Sequence, residues 1–261
     1  MAKVLSIMNQ KGGVGKTTTA VTLGHGLAVA GKRVLLVDLD SQGNVADALG
    51  MDKTDALYRF LTDRIGDEAI APSGRERLDV ILSDKTTLRA KHRLVEMNFR
   101  EYQLKRALGN VGDAYDAIIL DIAPGTDILQ ISALVAADVF LIPVALGHLA
   151  VVGAADALGT VASLKEVGAF SGTFLGVLPT MWERTTKESH EQFHILAQQF
   201  GTMVWPPIPL DVKAREAPGF GKTLWEYAPK TRALTGVELR SGKRVGGYAE
   251  VLARMIKEVP W

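Results

Sequence analysis

The sequence predicts a doubly wound α/β fold of three layers, in which helices cover both faces of a mostly parallel sheet. Short apolar runs alternate along the chain with helical stretches, and several runs are continuously apolar, as in Ala117-Ile118-Ile119-Leu120. Continuous apolarity is typical of strands that are buried on both faces of a parallel sheet, and the alternation places helices on both sides. With 261 residues, 47% of them hydrophobic, the chain fits a single domain over 1–261.

The apolar runs predict seven strands, and the first helix is predicted from Lys16 to about Ala30, ending before Gly31. The predicted strands are Val4–Met8, Arg33–Asp38, Leu78–Leu82, Ala117–Asp121, Val139–Val144, Thr173–Leu178 and Met203–Trp205. Ligands of such sheets bind at the carboxyl ends of the strands. We therefore expect the functional site beside the loop that follows the first strand.

The composition excludes several classes of protein. The chain has no cysteine, so disulfides, thiolate zinc sites and iron–sulfur clusters are excluded. The net charge of +1 gives no overall attraction to nucleic acid. No apolar run approaches the roughly 20 residues that span a bilayer, and the first strand begins too early to leave room for a signal peptide. A cytoplasmic location is therefore expected.

A glycine-rich loop follows the first predicted strand, where residues 9–19 read NQKGGVGKTTT. Gln10 stands where the common G-x-x-x-x-G-K-[ST] pattern has its first glycine. Backbone N–H groups of such a loop turn towards phosphate oxygens, Lys16 reaches the terminal phosphates, and the Thr17 hydroxyl can bind Mg²⁺. A simple tight turn is the alternative, but the strand–loop–helix setting favours a nucleotide site. Its predicted residues are Lys11, Gly12, Gly13, Val14, Gly15, Lys16, Thr17 and Thr18.

Lys11 is a second lysine in this loop. It lies on the N-terminal side, where it can point away from its own nucleotide and towards a second molecule docked across the phosphates. A loop built in this way predicts catalysis by a dimer.

Carboxylates end two further predicted strands. Asp38 and Asp40 close the second strand, and alternation places them on the same side. We hypothesise that Asp40 orients or deprotonates the attacking water, while Asp38 supports the metal shell or the loop. Asp121 follows four apolar residues, as in a Walker B strand, and is expected to hold Mg²⁺ together with Thr17 and Asp40. The alternatives are that Asp38 and Asp40 cap the next helix and that Asp121 only ends its strand.

These motifs resemble the deviant Walker A ATPases of the ParA and MinD superfamily, which are P-loop NTPases of the SIMIBI type, and the ParA branch fits best. The similarity covers nearly the whole chain: 11–18, 38–44, the Asp121 motif, 141–144, 176–181, 208–218 and 227–233. It implies a Mg²⁺-dependent ATPase, slow without its partner, that dimerises around ATP with Lys11 on the partner's phosphates. Pro209 and Asp211 match the positions that hold the adenine. Ser41 and Ala123 replace prolines that are usual in the family, which loosens two switch loops.

The resemblance also implies that the ATP-bound dimer binds DNA without sequence preference. Arg184, Lys213 and Arg215 lie at or next to the matching DNA-binding positions, with Lys187, Lys230 and Arg232 as weaker candidates. The alternative is that they are ordinary exposed cations. The basic stretch from Lys85 to Arg106 is interpreted as a solvated helix face, and the stretch 237–247, rich in glycine and cations, as a loop. Because no helix-turn-helix domain precedes the first strand, binding to a specific operator is not expected.

The resemblance implies a nucleoid-associated protein that segregates a plasmid, a chromosome origin or another cargo, with hydrolysis stimulated by a ParB-like or adaptor protein. One rival is a MinD-like ATPase that cycles on membranes through its last helix, Tyr248 to about Val259, whose apolar stripe equally fits packing on the sheet. We expect no membrane partner. A metabolic enzyme on the same scaffold is the other rival: a reductase needs cluster cysteines, and a synthetase needs a small-molecule pocket that the sequence does not indicate.

Overall fold

The computed structural model describes residues 2–63, 65–147, 150–239 and 241–261. Within these ranges a sheet of seven strands forms the centre of the molecule, in the order β3-β4-β2-β5-β1-β6-β7. These strands are β1 (Lys3–Ile7), β2 (Val34–Asp38), β3 (Ala71–Arg75), β4 (Leu78–Ile81), β5 (Ala117–Asp121), β6 (Val139–Ala145) and β7 (Thr173–Thr180). All neighbours are parallel except β3 and β4. The doubly wound, mostly parallel fold is confirmed.

Helices pack on both faces of this sheet because alternate strand residues point to opposite sides. On one face lie α1 (Lys16–Val29), α2 (Asn44–Leu49), α10 (Leu224–Tyr227), α11 (Arg232–Thr235) and α12 (Tyr248–Glu258). On the other face lie α3 (Ala56–Thr62), α4 (Thr87–Glu96), α5 (Gln103–Val111), α6 (Ile128–Ala136), α7 (Ala150–Glu166) and α8 (Lys187–Phe200). A short helix, α9 (Val212–Glu216), precedes α10. In β5, Ile118 and Leu120 face the second group and Ala117 and Ile119 the first.

The predicted strand at Met203–Trp205 is wrong. Val204 forms only an isolated bridge to Val177 of β7, and residues 201–203 form a 3₁₀ turn. Gly176 allows this close approach, because its φ is 137° and a Cβ there would lie 1.9 Å from the carbonyl oxygen of Met203. β7 therefore remains the edge of the sheet.

The antiparallel edge strand β3 is not among the predicted strands. Arg75 ties it to the rest of the molecule, and its side chain is only 10% exposed. Its guanidinium donates to the carbonyl oxygens of Leu49 (2.9 Å), Ser73 (3.0 Å) and Gly221 (2.9 Å) and forms a bidentate ion pair with Glu226. One arginine thus connects β3 with the end of α2 and the start of α10.

The segment 237–247, which the sequence predicts as a loop, contains two short antiparallel strands, β8 (Val237–Glu238) and β9 (Arg244–Val245). Arg240 lies outside the described residues. After β9, helix α12 buries Val251 and Met255 against α1. Its apolar stripe is therefore used for packing. Among the described helices, none is long and apolar enough to cross a membrane.

Candidate nucleotide site

The glycine-rich loop joins β1 to α1 at the carboxyl edge of the sheet. Gly13 and Gly15 adopt φ values of 71° and 86°, a left-handed conformation that side chains disfavour. Gly15 is the N-cap of α1, and no side chain caps this helix. Several N–H groups at its start are therefore available to an anion. The loop has the backbone that phosphate binding requires.

Asn9 and Gln10 fix the loop from both sides. The Asn9 side chain, 1% exposed, donates to the carbonyl oxygen of Pro143 (2.8 Å) and accepts from the Lys11 N–H (2.9 Å). Gln10 donates to the Thr160 hydroxyl of α7 (2.9 Å). The residue that breaks the strict loop pattern thus anchors the loop to α7. Sequence reasoning noted Gln10 only as a departure and missed Asn9, although both lie inside the motif.

The two lysines of the loop lie in different places. Lys16 is buried, and its Nζ donates to the main-chain carbonyl of Lys11 (2.8 Å), inside the loop. Burial lowers the pKa of Lys16, and the charges of Asp121 and Asp40 oppose that change. The Lys11 side chain instead lies along α7, where a methyl group at Gly153 would be 3.1 Å from its Cδ and 3.5 Å from its Nζ. Lys11 also borders a cavity of about 290 Å³ with Gly12 and Gly153.

The predicted carboxylates converge at the ends of neighbouring strands. Asp38 and Asp121 are register partners in β2 and β5, and Asp121 is also paired with Ile7 at the end of β1. Asp38 is fully buried, and its oxygens accept from the N–H groups of Asp40 (3.0 Å) and Val45 (3.2 Å). Burial raises the pKa of Asp38 to about 7. Asp38 therefore supports the loop and the start of α2.

Asp40 and Asp121 differ in their hydrogen bonds. Asp40 accepts from the Gln42 N–H (3.0 Å), and its carbonyl oxygen accepts from Ser83 (2.5 Å), a residue that the sequence did not single out. Asp121 is 1% exposed, and neither carboxylate oxygen has a hydrogen bond of normal geometry with the described residues. Burial raises the pKa of Asp121 well above its usual value, with a further rise from Asp38, while the nearby Thr17 hydroxyl and Lys16 lower it.

The Asp121 carboxylate is the observation that fits a divalent cation, because two buried, unpartnered oxygens beside a threonine hydroxyl suit Mg²⁺ or its bound water. Among the described residues, no cluster of three or more His, Cys, Asp or Glu side chains is arranged around a common point. Phosphate oxygens and water would therefore have to complete the coordination shell, as is usual for Mg²⁺.

Pro209 and Asp211 lie where the resemblance places the adenine. They border a cavity of about 320 Å³ together with Gly15, Thr18 and Thr180. Thr180 donates to the carbonyl oxygen of Val14 (2.9 Å), a contact that no sequence signal indicated. The segment is held in place because Ile208 donates to Pro179 (2.7 Å) and accepts from Trp182 (2.9 Å).

The Asp211 side chain has a structural role in this segment. It accepts from the Lys213 N–H (3.0 Å) at the start of α9, from the Thr231 hydroxyl (2.5 Å) and from the Arg232 N–H (3.0 Å). Burial by itself would raise the pKa of Asp211, but these hydrogen bonds hold it below the usual value. Because its carboxylate is already engaged, contacts of Asp211 with a base would come from its main chain.

The three predicted DNA-binding cations have different immediate surroundings. Arg184 borders a cleft of about 620 Å³ with Lys230, Arg232 and Arg244. Lys213 forms an ion pair with Glu216 (2.8 Å), and Arg215 borders the cavity beside Pro209. Arg244, on β9, was missed by sequence reasoning because the hairpin that carries it was interpreted as a loop.

The fold and the glycine-rich loop define a P-loop nucleotide-binding protein. The family profile described as AAA domain matches residues 2–169. Soj of Bacillus subtilis, named sporulation initiation inhibitor protein, is 40% identical over 237 residues, which cover 89% of this chain and 94% of that protein. The chromosome-partitioning ATPase Soj of Thermus thermophilus is 37% identical, over 86% of this chain and 88% of that protein. This chain belongs to the ParA-type P-loop ATPases, as its motifs predicted.

A solved structure shares the same fold. The ATP complex of a Cyanothece McdA variant superposes with a TM-score of 0.80 and 28% identity, covering 87% of this chain and 90% of that one. The similarity therefore extends beyond the loop to the arrangement of the sheet and helices.

Proposed function

We propose that this protein is a Mg²⁺-dependent ATPase that dimerises around ATP and binds DNA without sequence preference. Partner-stimulated hydrolysis would segregate or position a cargo. The separation of the two loop lysines carries the proposal. Lys16 lies inside the loop, whereas the Lys11 side chain lies outside it along α7. The first suits the chain's own phosphates, and we propose that the second serves the nucleotide of a second subunit.

Thr17 and Asp121, with Asp40, would hold Mg²⁺ beside the phosphates. The buried oxygens of Asp121 support this role, because an unpartnered buried carboxylate is costly unless a ligand satisfies it. Mg²⁺, when bound, neutralises charge on the phosphate oxygens. Lys16 adds a positive charge at the terminal phosphates, and its neighbours Asp121 and Asp40 favour its charged form.

Asp40 is the proposed group that orients or deprotonates the attacking water. Its hydrogen bond from Gln42 and the bond from Ser83 to its carbonyl oxygen hold it at the edge of the loop. The loop that follows Asp121 can report the state of the nucleotide, because Gly125 donates to the carbonyl oxygen of Gln10 (3.1 Å). A change at the γ-phosphate would thus be transmitted from the phosphate loop to this switch loop.

Arg184, Lys213 and Arg215 are the proposed DNA contacts, all exposed in the chain. Contacts to DNA phosphates are additive and depend on salt, so a dimer, which doubles them, gains affinity although each chain carries only +1. The proposal places the protein in the cytoplasm on the nucleoid. Chromosome partitioning is named for the Thermus thermophilus relative, and a ParB-like or adaptor protein is the expected stimulator of hydrolysis.

DNA co-sedimentation and light scattering, each with ATP, ADP or no nucleotide, test this proposal. Wild type is expected to dimerise and bind DNA only with ATP. Lys11→Ala should remain monomeric and lose DNA binding, and Asp40→Ala should retain both while losing hydrolysis. Arg184→Ala should dimerise but bind DNA about tenfold more weakly at moderate salt. Lys257→Ala, at an exposed cation of α12, is the matched control and should behave as wild type.

Two results would overturn the proposal. If the ATP complex stays monomeric and Lys11 is dispensable for turnover, the chain is a generic nucleotide hydrolase. That result would favour the alternative of a metabolic enzyme. ATP-dependent binding to anionic liposomes without binding to DNA, measured by flotation, would favour the membrane-cycling interpretation.

A further inference from the structure

Exposed apolar residues are concentrated on and just after α4. Phe99 is 77% exposed, Val95 52%, Leu88 50% and Tyr102 39%. Along α4 the residues Leu88, His92 and Val95 follow the i, i+4, i+7 spacing of one helix face, while Thr87, Ala90 and Leu94 are buried on the opposite face. The helix therefore has a second stripe, formed by two apolar residues and a histidine, that the core does not use.

Phe99 is held in an unusual conformation at the end of this stripe. Its φ is 51°, in the left-handed region that non-glycine residues rarely adopt. The surrounding turn is well bonded, because Tyr102 donates to the carbonyl oxygen of Phe99 (2.9 Å) and Arg100 donates to that of Val95 (3.2 Å). An ordered turn thus presents a large aromatic ring to solvent, and packing within the chain buries little of that ring.

The same segment carries a strong positive charge. Residues 85–106 contain seven Lys or Arg and two Glu, a net charge of +5 in a chain whose total is +1. The cations that flank the stripe and are exposed are Arg89, Arg93, Arg100, Lys105 and Arg106. We call the four exposed apolar residues and these five cations the α4 surface.

We propose that the α4 surface docks an acidic amphipathic helix of another protein. Apolar side chains of that helix would pack on Leu88, Val95 and Phe99, and its carboxylates would pair with the flanking arginines. Helix α4 has ten residues, so the stripe extends over about 15 Å, close to three turns of an opposing helix. The stripe is one side chain wide, which fits a single helix.

Other occupants fit less well. A second copy of this chain would bring +5 against +5, and such like charges repel. Duplex DNA offers phosphates for the cations but no partner for exposed Leu, Val and Phe side chains. An anionic bilayer would also meet Glu96 and Glu101, which lie beside the α4 surface, whereas a helix can place its carboxylates away from them. Charge and apolar pattern together therefore favour an acidic helix.

The α4 surface is connected to the switch loop. Lys91 of α4 forms an ion pair with Asp127 (2.5 Å), and Asp127 caps α6 by accepting from Leu129 (3.0 Å) and Gln130 (3.2 Å). Ser132 of α6 lies within 3.4 Å of the carbonyl oxygen of Arg100. A helix bound on the α4 surface would therefore contact elements that are themselves bonded to α6, the helix that begins where the loop after Asp121 ends.

Fluorescence anisotropy on the nucleotide-free full chain tests the docking surface independently of ATPase function. The probe is a synthetic peptide of about five helical turns, with Leu and Phe on one face and Glu on the other, and a scrambled peptide of the same composition controls for charge alone. Wild type is expected to bind the ordered peptide about tenfold more tightly than the scrambled one.

The variants separate the apolar and charged contributions. Phe99→Asn removes the ring and suits the left-handed backbone, so it should weaken binding about tenfold without unfolding the chain. Val95→Gln should act in the same direction, and Arg93→Gln with Arg106→Gln should reduce the dependence on salt. Val167→Gln, at a side chain that is 75% exposed elsewhere, is the matched control and should bind as wild type.

Three outcomes would overturn the proposal: no measurable binding, equal binding of the two peptides, or variants that bind as well as wild type. Phosphatidylserine vesicles and duplex DNA are measured alongside. If either binds more tightly than the peptide and loses affinity in Phe99→Asn, the surface recognises a membrane or a nucleic acid and the proposal fails.

Discussion

Asp121→Asn is expected to stabilise the nucleotide-free protein at alkaline pH, although it removes a proposed Mg²⁺ ligand. Asp121 and Asp38 are buried register partners at the ends of β5 and β2. Burial raises the pKa of both carboxyls. The charge of Asp38 adds to the rise at Asp121, and the charge of Asp40 adds to the rise at Asp38, whose pKa moves from 3.8 to about 7.

The raised pKa values make stability fall as the pH rises. The unfolded chain ionises both carboxyls near pH 4, while folded Asp38 keeps its proton up to about pH 7. Between these values the folded state binds more protons, so the free energy of unfolding decreases through that window. The difference between the folded and unfolded pKa of Asp38 corresponds to about 4 kcal/mol of lost stability, since each pKa unit is worth about 1.36 kcal/mol.

Asparagine at position 121 removes one of the buried charges and its repulsion with Asp38. We expect a gain of about 1–3 kcal/mol at pH 8, the usual cost of one unsatisfied buried polar group, or about 3–10 °C in Tm for a chain of this size. At pH 5, only about one unit above the pKa of the unfolded carboxyl, less of this penalty has developed and we expect a smaller gain. The stability would rise while Mg²⁺-dependent ATP binding falls.

Urea denaturation at pH 5 and pH 8, with EDTA and without nucleotide, measures the effect. Asp116→Asn is the control, because hydrogen bonding from the Arg33 N–H lowers the pKa of Asp116. Its ionisation favours folding, so that variant should gain nothing at pH 8. Equal changes for Asp121→Asn at both pH values, or a loss at pH 8, would refute the account of the buried pair.

Two further predictions concern close contacts in the fold, both measured by urea denaturation. Gly176→Ala should destabilise the fold by about 3 kcal/mol or more, because the new Cβ would overlap the carbonyl oxygen of Met203. A Cβ at Gly159 in α7 would meet no atom within 4 Å, so Gly159→Ala should stabilise the fold by about 0.5–1 kcal/mol. Similar effects of the two variants would contradict this. Arg75→Ala should lower the free energy of unfolding by about 3–5 kcal/mol, and the control Arg59→Ala, at an exposed arginine, by about 0.5 kcal/mol or less. A loss for Arg75→Ala as small as that of the control would show that the contacts of Arg75 contribute little.

The buried centre of the sheet was predictable from the sequence because local apolarity and burial coincide there. Ala117–Asp121 was predicted with both of its ends correct. The edges were harder to predict. β3 reads Ala-Pro-Ser-Gly-Arg, and such a strand forms only because it pairs on one side with β4, where proline and glycine are tolerated.

The predicted strand at Met203–Trp205 failed for a related reason. Its residues have strand propensity, but pairing depends on what the neighbouring backbone permits. Trp205 donates its main-chain N–H to Val177 (2.9 Å) and its indole N–H to Leu175 (2.8 Å), which holds the segment beside β7 without extending the ladder. Contacts distant along the chain decided this element.

By itself, the sequence determined the phosphate loop and the carboxylates that close β2 and β5. These residues lie within a few positions of a strand end, so their spacing along the chain predicts their positions in space. Only the tertiary structure decided which distant residues join them. It engaged the Asp211 side chain in capping α9, placed Lys11 against Gly153, and brought Arg184 and Arg244 to one cleft. The physical reason is that a sequence motif specifies the local backbone conformation, whereas burial and side-chain pairing depend on residues that come into contact only when the layers pack.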